Sequence, residues 1–538
     1  MSAGTLDKTF ASPNGFLVEK MINFGNSETS DRDGNIYILG NVTVQNIVNT
    51  VIAKYNSSGV LDKSFGNGGY LYITLGAEYI CSGVCITLDN NDKLVITGTL
   101  DIELFIARFE LDGTPDLTFN NSGFVTQNFN NGNNSFGFFI TIDNNNNIVA
   151  TGFSEKMGPN NLCLVRYRND GTIDTSFSGV GYLTTTFNTD RFTIGYSVTV
   201  DIDNNIIVSG LNIDVNNLQN GLIARFLNNG DLDESFNTTG YLITTFGFDS
   251  ACSIVGVITY ADKIFVTGSI DDKLLIAKFN NDGKLDGSFN NTGYLISDFG
   301  FSGKIAVGVT INFDNSDRMV ISGTANKTKM LLARYNIDGT LDKSFNGSGF
   351  LVNDFSFSSY NFNVGNKIIL DSLDNITILA FGTDSLGNVI NIVARYIGYT
   401  TEPICLPAGT PINTDQGIIA IEMIDTKIHT IGNKPIIAIT KTITPEKYLV
   451  CFDKFTLGMN IPSQRTIMTP CHQVLYKGNL VQAKDFLARI EGINAIKYNG
   501  QVLYNVLQEK HGLMRVNNMI LETLHPENKV AREILKKL

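Results

Sequence analysis

Tryptophan is absent from the 538 residues, and histidine occurs at only four positions, all beyond residue 400. Histidine is the side chain that changes charge near neutral pH, so the first 400 residues offer few groups for acid–base catalysis. The lack of tryptophan weighs against a glycan-binding protein, because such sites commonly stack sugars on exposed indole rings. No run approaches the roughly 18 apolar residues of a membrane-spanning helix, and no secretory signal opens the sequence. We therefore expect an intracellular protein without a membrane span.

Cysteine occurs seven times, at irregular spacing. An odd count without a secretory signal predicts reduced thiols in a reducing compartment. Cys81 and Cys85 lie in an apolar, strand-like stretch, and their spacing does not fit a zinc site. We interpret them as buried structural thiols and expect neither a metal nor a cofactor.

Charge divides the chain into two unlike parts. The net charge is −12, but residues 405–538 carry 16 Lys and Arg against 11 Asp and Glu, a balance of +5. Residues 1–404 carry 24 against 41, a balance of −17. Because affinity for nucleic acid depends on cationic side chains that meet phosphates, the acidic part argues against nucleic-acid binding.

One sequence motif recurs through the first 400 residues, in the form LDxSF followed by a Gly-rich turn. Its phenylalanines are 55, 54, 58, 59, 53 and 56 residues apart: Phe10, Phe65, Phe119, Phe177, Phe236, Phe289 and Phe345. A second marker of the type ARY or AKF has the same period, at 53–55, 107–109, 165–167, 224–226, 277–279, 333–335 and 394–396. Two markers in phase indicate a repeat architecture.

Each repeat contains four runs of strand length separated by Asn, Asp and Gly turns, as residues 240–284 illustrate. Four strands per unit of about 55 residues, without helical periodicity, are typical of β-propeller blades. The sequence therefore predicts a seven-bladed β-propeller over residues 1–400, closed with help from residues 1–10. We expect the marker Phe and Tyr residues to fill the core between blades. The Lys or Arg of the second marker should pair with the Asp of LDxSF.

The repeat resembles the short propeller repeat known as the delta-60 repeat, whose signature is LDxxFGxxG. This resemblance implies a fold and not a function. The turns rich in Asp and Asn could bind calcium, but such residues are also usual in tight hairpins. A scaffold or protein-docking surface is the interpretation that we adopt for the propeller.

A different sequence begins at CLPAGTPINTDQGIIAIE (405–422). It resembles the start of hedgehog/intein (Hint) domains, with a nucleophilic Cys, an AGT, a Thr, a turn Gly and an IE pair. The family's T-x-x-H landmark is present as TPCH (469–472), followed by GNLVQAKDFL (478–487). The strand pair near the end of the family's domain resembles residues 503–523, with His511 at the expected place. We therefore predict a small all-β Hint domain over residues 401–538.

The resemblance implies an autoprocessing site formed by Cys405, Thr469, His472 and His511. Cys405 Sγ would attack the carbonyl of Ile404 and exchange the amide for a thioester. His472 would protonate the departing nitrogen as a general acid, while Thr469 would hold the scissile carbonyl or the strained bond. His511 is equally compatible with a structural role. Cys471 could pair with Cys405 or intercept the thioester, although we expect a packed thiol.

The end of the domain departs from true inteins, which finish in His-Asn before a Cys, Ser or Thr. Leu521, Glu522 and Thr523 stand there instead, with a polar tail to follow. No Asn can cyclise, so we expect neither splicing nor C-terminal cleavage. The ending resembles the bacterial and giant-virus branch of Hint domains. The β-branched side chain of Ile404 should slow attack at the scissile bond.

The sequence thus predicts a propeller scaffold or protein-binding module joined to a Hint domain that cleaves itself once, between Ile404 and Cys405. An alternative is a structural or interaction protein of the virion type with an inactive Hint domain. The Asn- and Ile-rich composition and this domain pairing resemble proteins of giant DNA viruses that infect amoebae. We expect a protein partner and a location inside the cell, in the cytoplasm or in a virion. The partner and the oligomeric state stay open.

Overall fold

The computed structural model divides the chain into two compact units, Gly4–Gly398 and Tyr399–Leu538 together with Met1–Ala3. Each unit is described here by itself. The residues that the structure describes are 3–76, 80–129, 134–155, 160–187, 192–300, 306–325, 329–353, 355, 363–364, 367–371, 374–383, 389–398, 404–443, 448–487, 489–509 and 512–524.

Six antiparallel sheets of the first unit each contain four strands that are consecutive in the chain. Each sheet in turn consists of the following strands: Phe24–Ser30, Ile36–Val44, Ile47–Tyr55 and Tyr70–Ile73; Cys81–Leu88, Leu94–Leu100, Glu103–Phe109 and Phe124–Gln127; Ser135–Ile142, Ile148–Ser154, Asn161–Tyr167 and Tyr182–Thr185; Phe192–Val200, Ile206–Ile213, Gln219–Phe226 and Tyr241–Thr244; Cys252–Tyr260, Lys263–Ile270, Lys273–Phe279 and Tyr294–Ser297; Ala306–Phe313, Met319–Ala325, Lys329–Tyr335 and Phe350–Asn353.

A further sheet joins the two ends of this unit, and it brings the sheets between residues 16 and 398 to seven among those described. It contains Asn363–Val364, Ile369–Leu370, Ile376–Thr383 and Val389–Tyr396, and its outer strand is Phe16–Glu19 from the start of the chain. Phe16 pairs with Ala394 in an antiparallel register, and a helical turn, Ala11–Gly15, precedes the strand. The start of the chain thus supplies a strand to the last sheet, although this strand lies beyond the residues 1–10 that we expected to take part.

The repeat of the sequence is out of phase with the sheet. We expected the run YLITTF (241–246) to belong with the three strands that follow it in residues 252–279. Instead Tyr241–Thr244 pairs with Gln219–Phe226, so the strand after each LDxSF motif completes the preceding sheet. The same offset explains the closure, because the first LDxSF motif supplies the fourth strand of the last sheet.

The marker phenylalanines fill the core between neighbouring sheets, as expected. All seven are at most 1% exposed. Phe65, for example, packs with Leu39 and Ile52 of its own sheet and with Ile96 and Phe105 of the next. Burying a side chain of this size contributes about 1.5–3 kcal/mol, so the repeated aromatic stabilises each sheet-to-sheet contact.

The cation of the second marker pairs with the aspartate of LDxSF in every repeat, which confirms that prediction. The N···O distances run from 2.7 to 3.2 Å, in the pairs Lys54–Asp62, Arg108–Asp116, Arg166–Asp174, Arg225–Asp233, Lys278–Asp286, Arg334–Asp342 and Arg395–Asp7. The other aspartate oxygen accepts a hydrogen bond from the main chain two residues later, as from Thr9 to Asp7 at 3.0 Å. This geometry explains why the motif requires an Asp at that place.

The turns rich in Asp and Asn adopt the hairpin conformations that we weighed against calcium binding. In the turn after Cys81–Leu88, Asp89 Oδ1 accepts hydrogen bonds from the main chain of Asn91 and Lys93, at 2.9 and 3.0 Å. Within the described ranges, no group of three His, Cys, Asp or Glu side chains is placed to hold a metal ion. Cys81 and Cys85 are fully buried in their strand, as expected of structural thiols.

The second unit is also built of strands, in three sheets. Their members are given in spatial order: Leu406–Pro407, Leu503–Gln508, Lys434–Thr442 and Thr430–Ile431; Gly417–Ala420, Pro411–Thr414, Leu513–Val516, Met519–Glu522, Gln473–Tyr476 and Asn479–Gln482; Thr466–Met468, Tyr448–Phe452 and Ile493–Lys497. Two 3-10 turns, Ile421–Met423 and Ala483–Phe486, complete it. No helix among the described residues of the chain has the length and apolarity needed to cross a membrane.

Candidate active site

Cys405 lies at the start of the second unit, directly before the strand Leu406–Pro407, and only 2% of it is exposed. Its main chain is held at two points by Thr469. The Cys405 N–H donates to Thr469 Oγ1 at 2.8 Å, and the Thr469 N–H donates to the Cys405 carbonyl at 3.0 Å. Thr469 therefore contacts the nitrogen of the Ile404–Cys405 peptide bond, and not its carbonyl.

The carbonyl of that peptide bond is held by a residue that we did not predict. Asn505, in the strand Leu503–Gln508, donates a hydrogen bond from Nδ2 to the Ile404 oxygen. Its Oδ1 accepts from the main chain of Val506 at 2.7 Å, which fixes the orientation of the amide. Asn505 is fully buried, so this donor points at the scissile carbonyl in a site without bulk water.

His472 is fully buried in the same site. Its Nε2 lies 3.2 Å from the carbonyl oxygen of Glu522, so we assign the hydrogen of the neutral ring to Nε2. Nδ1 then carries a lone pair and has no hydrogen-bond partner within the described residues. Burial lowers the pKa of His472, while the charge of Glu522 and the main chain of Glu522 and Cys405 oppose that effect. The imidazole is therefore neutral at pH 7.

The thiol of Cys405 is also neutral at rest, because burial raises its pKa to about 12. It packs with Leu449, Tyr498 and Leu503. Cys471, next to His472 in sequence, is 3% exposed and lies 3.8 Å from Lys484 Nζ. All seven cysteines fall in the described residues, and none of them forms a disulfide there.

The sequence landmarks after Cys405 have a structural purpose. Gly409, with a φ of 80°, donates its N–H to both carboxylate oxygens of Glu422, at 2.9 and 2.7 Å. The Thr410 hydroxyl donates to the Pro407 carbonyl at 2.6 Å. These bonds fix the turn that follows Cys405, and with it the path of the chain through the site.

Cys405 and Thr469 thus meet at the scissile peptide bond, and His472 lies near the main chain of Cys405, while His511 lies outside the described residues. The sequence did contain a pattern that could have identified Asn505 as a site residue. It stands between Leu503 and Leu507 in an alternating strand, where a polar side chain shares a face with buried leucines. A buried amide needs partners, so its position was informative.

Comparison with known families gives a match for each unit. Residues 404–528 match the model of the Hint domain. Residues 32–65, 90–119, 144–177 and 203–236 match the beta-propeller domain of unknown function DUF5122. The chain therefore combines a propeller-repeat module with a C-terminal Hint domain.

Solved structures that resemble the chain are distant. The virginiamycin B lyase of Staphylococcus aureus is 13% identical with a TM-score of 0.42, over 70% of this chain and 99% of its own. An ulvan lyase is 10% identical with a TM-score of 0.42, over 71% and 95%. A Dyadobacter fermentans protein of unknown function is 9% identical with a TM-score of 0.36, over 71% and 100%. No curated protein matches the sequence.

Proposed function

We propose that the Hint domain cleaves its own chain at Ile404–Cys405 through a thioester, and that the propeller, as a ring of seven blades, binds a protein partner. The observation that carries the first part is the pair of hydrogen bonds on the scissile peptide. Thr469 holds the nitrogen, and Asn505 holds the oxygen on which negative charge would develop. A buried amide donor at that place is the arrangement that stabilises an oxyanion.

The reaction is a proton relay through His472. Nδ1 takes the proton of the Cys405 thiol, and Sγ forms a bond to the Ile404 carbonyl carbon. The oxyanion is held by Asn505 Nδ2 until the carbon–nitrogen bond breaks. His472 then returns the proton to the Cys405 nitrogen, which leaves as an amine with the Thr469 hydroxyl beside it. His472 is therefore a base before it is the acid that the sequence suggested.

A second candidate function is a structural or interaction protein whose Hint domain does not cleave. One observation favours it, namely the pKa of about 12 to which burial raises the Cys405 thiol. A buried neutral thiol reacts only after it loses its proton, so a site without an effective base is inert. In this alternative the Hint domain is a docking module, and the protein works in the cytoplasm or in a virion.

The propeller part of the proposal rests on seven sheets that follow one repeat and on the acidic balance of −17 over residues 1–404. The closing strand, Phe16–Glu19, is also tied to the first sheet. Glu19 accepts hydrogen bonds from the hydroxyls of Tyr55 and Tyr70. A closed ring supports a rigid surface for a partner.

The test is the mass of the purified protein after incubation with dithiothreitol or hydroxylamine, which attack thioesters. We expect the intact 58.9 kDa chain to give way to a fragment that ends at Ile404. Cys405→Ala should stay intact, and His472→Ala should cleave about 10²- to 10⁴-fold more slowly. Full-length wild-type protein after long incubation would favour the non-cleaving candidate.

A further inference from the structure

One hairpin of the propeller is shorter than its counterparts. In six sheets, five residues separate the paired ends of the first and second strands, as between Val200 and Ile206. In the fifth sheet, Tyr260 pairs with Lys263, so only Ala261 and Asp262 form the loop. Both have positive φ, at 47° and 56°, as a two-residue hairpin requires.

Three pairs of neighbouring long turns are linked by hydrogen bonds from sheet to sheet. The second residue of a turn donates its N–H to the fourth residue of the next turn, at 2.8–2.9 Å: Asn90 to Asn146, Asn144 to Asn204, and Asn315 to Asp374. The short hairpin cannot supply the acceptor for Ile202, whose N–H has no partner within the described residues. The ring of turns is therefore interrupted between the fourth and fifth sheets.

A notch of about 380 Å³ occupies this interruption, lined by the turn at 201–203 and the hairpin at 259–263. Ile202 stands at its edge and is 78% exposed, where the linked turns carry Asn. On the other side the hairpin is fixed to the sixth sheet, because the Tyr260 ring stacks on Phe313 with centroids 4.0 Å apart. The hairpin side of the notch is thus held in place by packing against the neighbouring sheet.

The charged side chains that line the notch indicate which kind of ligand it would bind. Asp203 and Asp262 are exposed, and neither carboxylate has an ion-pair partner among the described residues. Lys263, the cation of the lining, is already bound, since its Nζ lies 2.5 Å from Asn280 Oδ1 and 3.5 Å from Asp286. The notch therefore offers two free carboxylates, one unpaired main-chain donor and one exposed aliphatic side chain.

We propose that this notch binds a basic segment of a protein partner, with a Lys or Arg at Asp203 and Asp262 and an apolar side chain at Ile202. The inference rests on the proposed protein-binding role of the propeller and gives it a place and a chemistry. The balance of −17 over residues 1–404 also favours a basic partner, because it speeds the approach of positive charge.

The test selects peptides from a random library displayed on phage, against the full protein carrying Cys405→Ala so that it stays in one piece. The selected peptides should combine Lys or Arg with an apolar residue, and their binding should weaken with added salt. Three variants should each reduce affinity at least about tenfold, equal to about 1.4 kcal/mol. They are Ile202→Asn, Asp203→Asn with Asp262→Asn, and replacement of residues 261–262 by the five-residue turn 143–147.

Val180→Asn is the matched control, because it removes another exposed aliphatic side chain, and it should leave affinity unchanged. Peptides that bind all variants with equal affinity would show that the notch is not the binding site, while supporting the protein-binding role of the propeller. Failure to select any peptide would overturn the notch and leave the cleavage test unaffected. A further test measures the oligomeric state of the protein without peptide by sedimentation. If the wild type is an oligomer and Ile202→Asn dissociates it, a second copy of the chain occupies the notch and the proposal of a basic partner is wrong.

Discussion

Removing the amide of Asn505 should slow cleavage at Ile404–Cys405 more than any other change that spares Cys405 and His472. In Asn505→Ala the Ile404 oxygen loses its side-chain donor, so the oxyanion would form in a buried site without compensation. Asn505→Asp keeps the volume but sets a carboxylate against the same oxygen, which should be at least as damaging. Both variants leave the thiol and the imidazole in place.

The magnitude follows from the burial of this donor. Loss of one oxyanion donor from a site without bulk water costs about 10²- to 10³-fold in rate, equal to about 2.7–4 kcal/mol. Asn505 is fully buried, and its amide is held by Val506, so it needs no reorganisation before reaction. We therefore expect the upper part of that range for Asn505→Ala.

The assay is the single-turnover rate of fragment release in hydroxylamine, followed by intact mass. Asn517→Ala is the matched control, because Asn517 is also a buried asparagine of this domain and donates to Thr466 Oγ1 at 2.9 Å, away from the scissile bond. It should cost stability without changing the rate. An Asn505→Ala protein that keeps its melting temperature and cleaves at the wild-type rate would refute the role of this amide.

Four further predictions concern pH, closure and partners. The lowered pKa of His472 and the raised pKa of Cys405 predict a cleavage rate that is flat from about pH 7 to 9 and falls only below pH 6.5, when the imidazole gains a proton. A midpoint above pH 7 would contradict the relay. Deletion of residues 2–10 removes Asp7 and Phe10 and should lower the melting temperature of the propeller by several degrees, and an unchanged value would count against closure by the start of the chain. Burial raises the pKa of Glu28 to about 8, so the stability that its neutral form contributes is present below pH 4.5 and lost as pH rises through 8. Glu28→Gln should therefore raise the melting temperature at pH 8 and above. A lower melting temperature of this variant at that pH would show that the charge is needed. Fluorescence anisotropy with duplex DNA at physiological salt should show no tight, salt-sensitive binding, and submicromolar affinity would contradict the charge argument.

The propeller was largely predictable because each of its repeated residues makes the same contacts in every repeat. The Asp of LDxSF binds a cation and a turn at once, and the Phe fills a gap between sheets, so the same letters recur with the same period. The offset between repeat and sheet was not predictable, since four strands in a row can be grouped in more than one way. Only the pairing of Tyr241–Thr244 with the preceding strands decides it.

The seven aspartates also illustrate how far local rules extend. The pKa of Asp7 is lowered although burial alone would raise it, because hydrogen bonds from Thr9 and the charge of Arg395 outweigh burial. That balance could be expected from the motif. Glu28 is different, since it lies in the first strand of the first sheet and accepts a hydrogen bond from the main chain of Leu379 at 3.0 Å. Glu28 and Leu379 are 351 positions apart, and the sequence around either residue does not predict this contact.

Three members of the candidate site were predictable from the sequence, but Asn505 and the atoms through which the residues interact were not. Cys405, Thr469 and His472 were named from landmarks, which identify residues without stating which atom faces which. The landmarks did not reveal that Thr469 holds the nitrogen, or that the Glu522 carbonyl orients His472 through Nε2. The landmarks also gave Glu522 no part in the site, because no Asn stands in that region to cyclise. Glu522 nevertheless acts on His472 through both its main-chain carbonyl and its charge.

The central claim is that an acyl group moves from the Cys405 nitrogen to the Cys405 sulfur, and the chemistry left on Ile404 tests it most directly. Mass spectrometry of the C-terminal peptide of the released propeller, after treatment with hydroxylamine, distinguishes the possible ends. A hydroxamate on Ile404, formed in the wild type and absent from Cys405→Ala, is the result that a thioester predicts. A free carboxylate there, or the same fragment from Cys405→Ala, would contradict it.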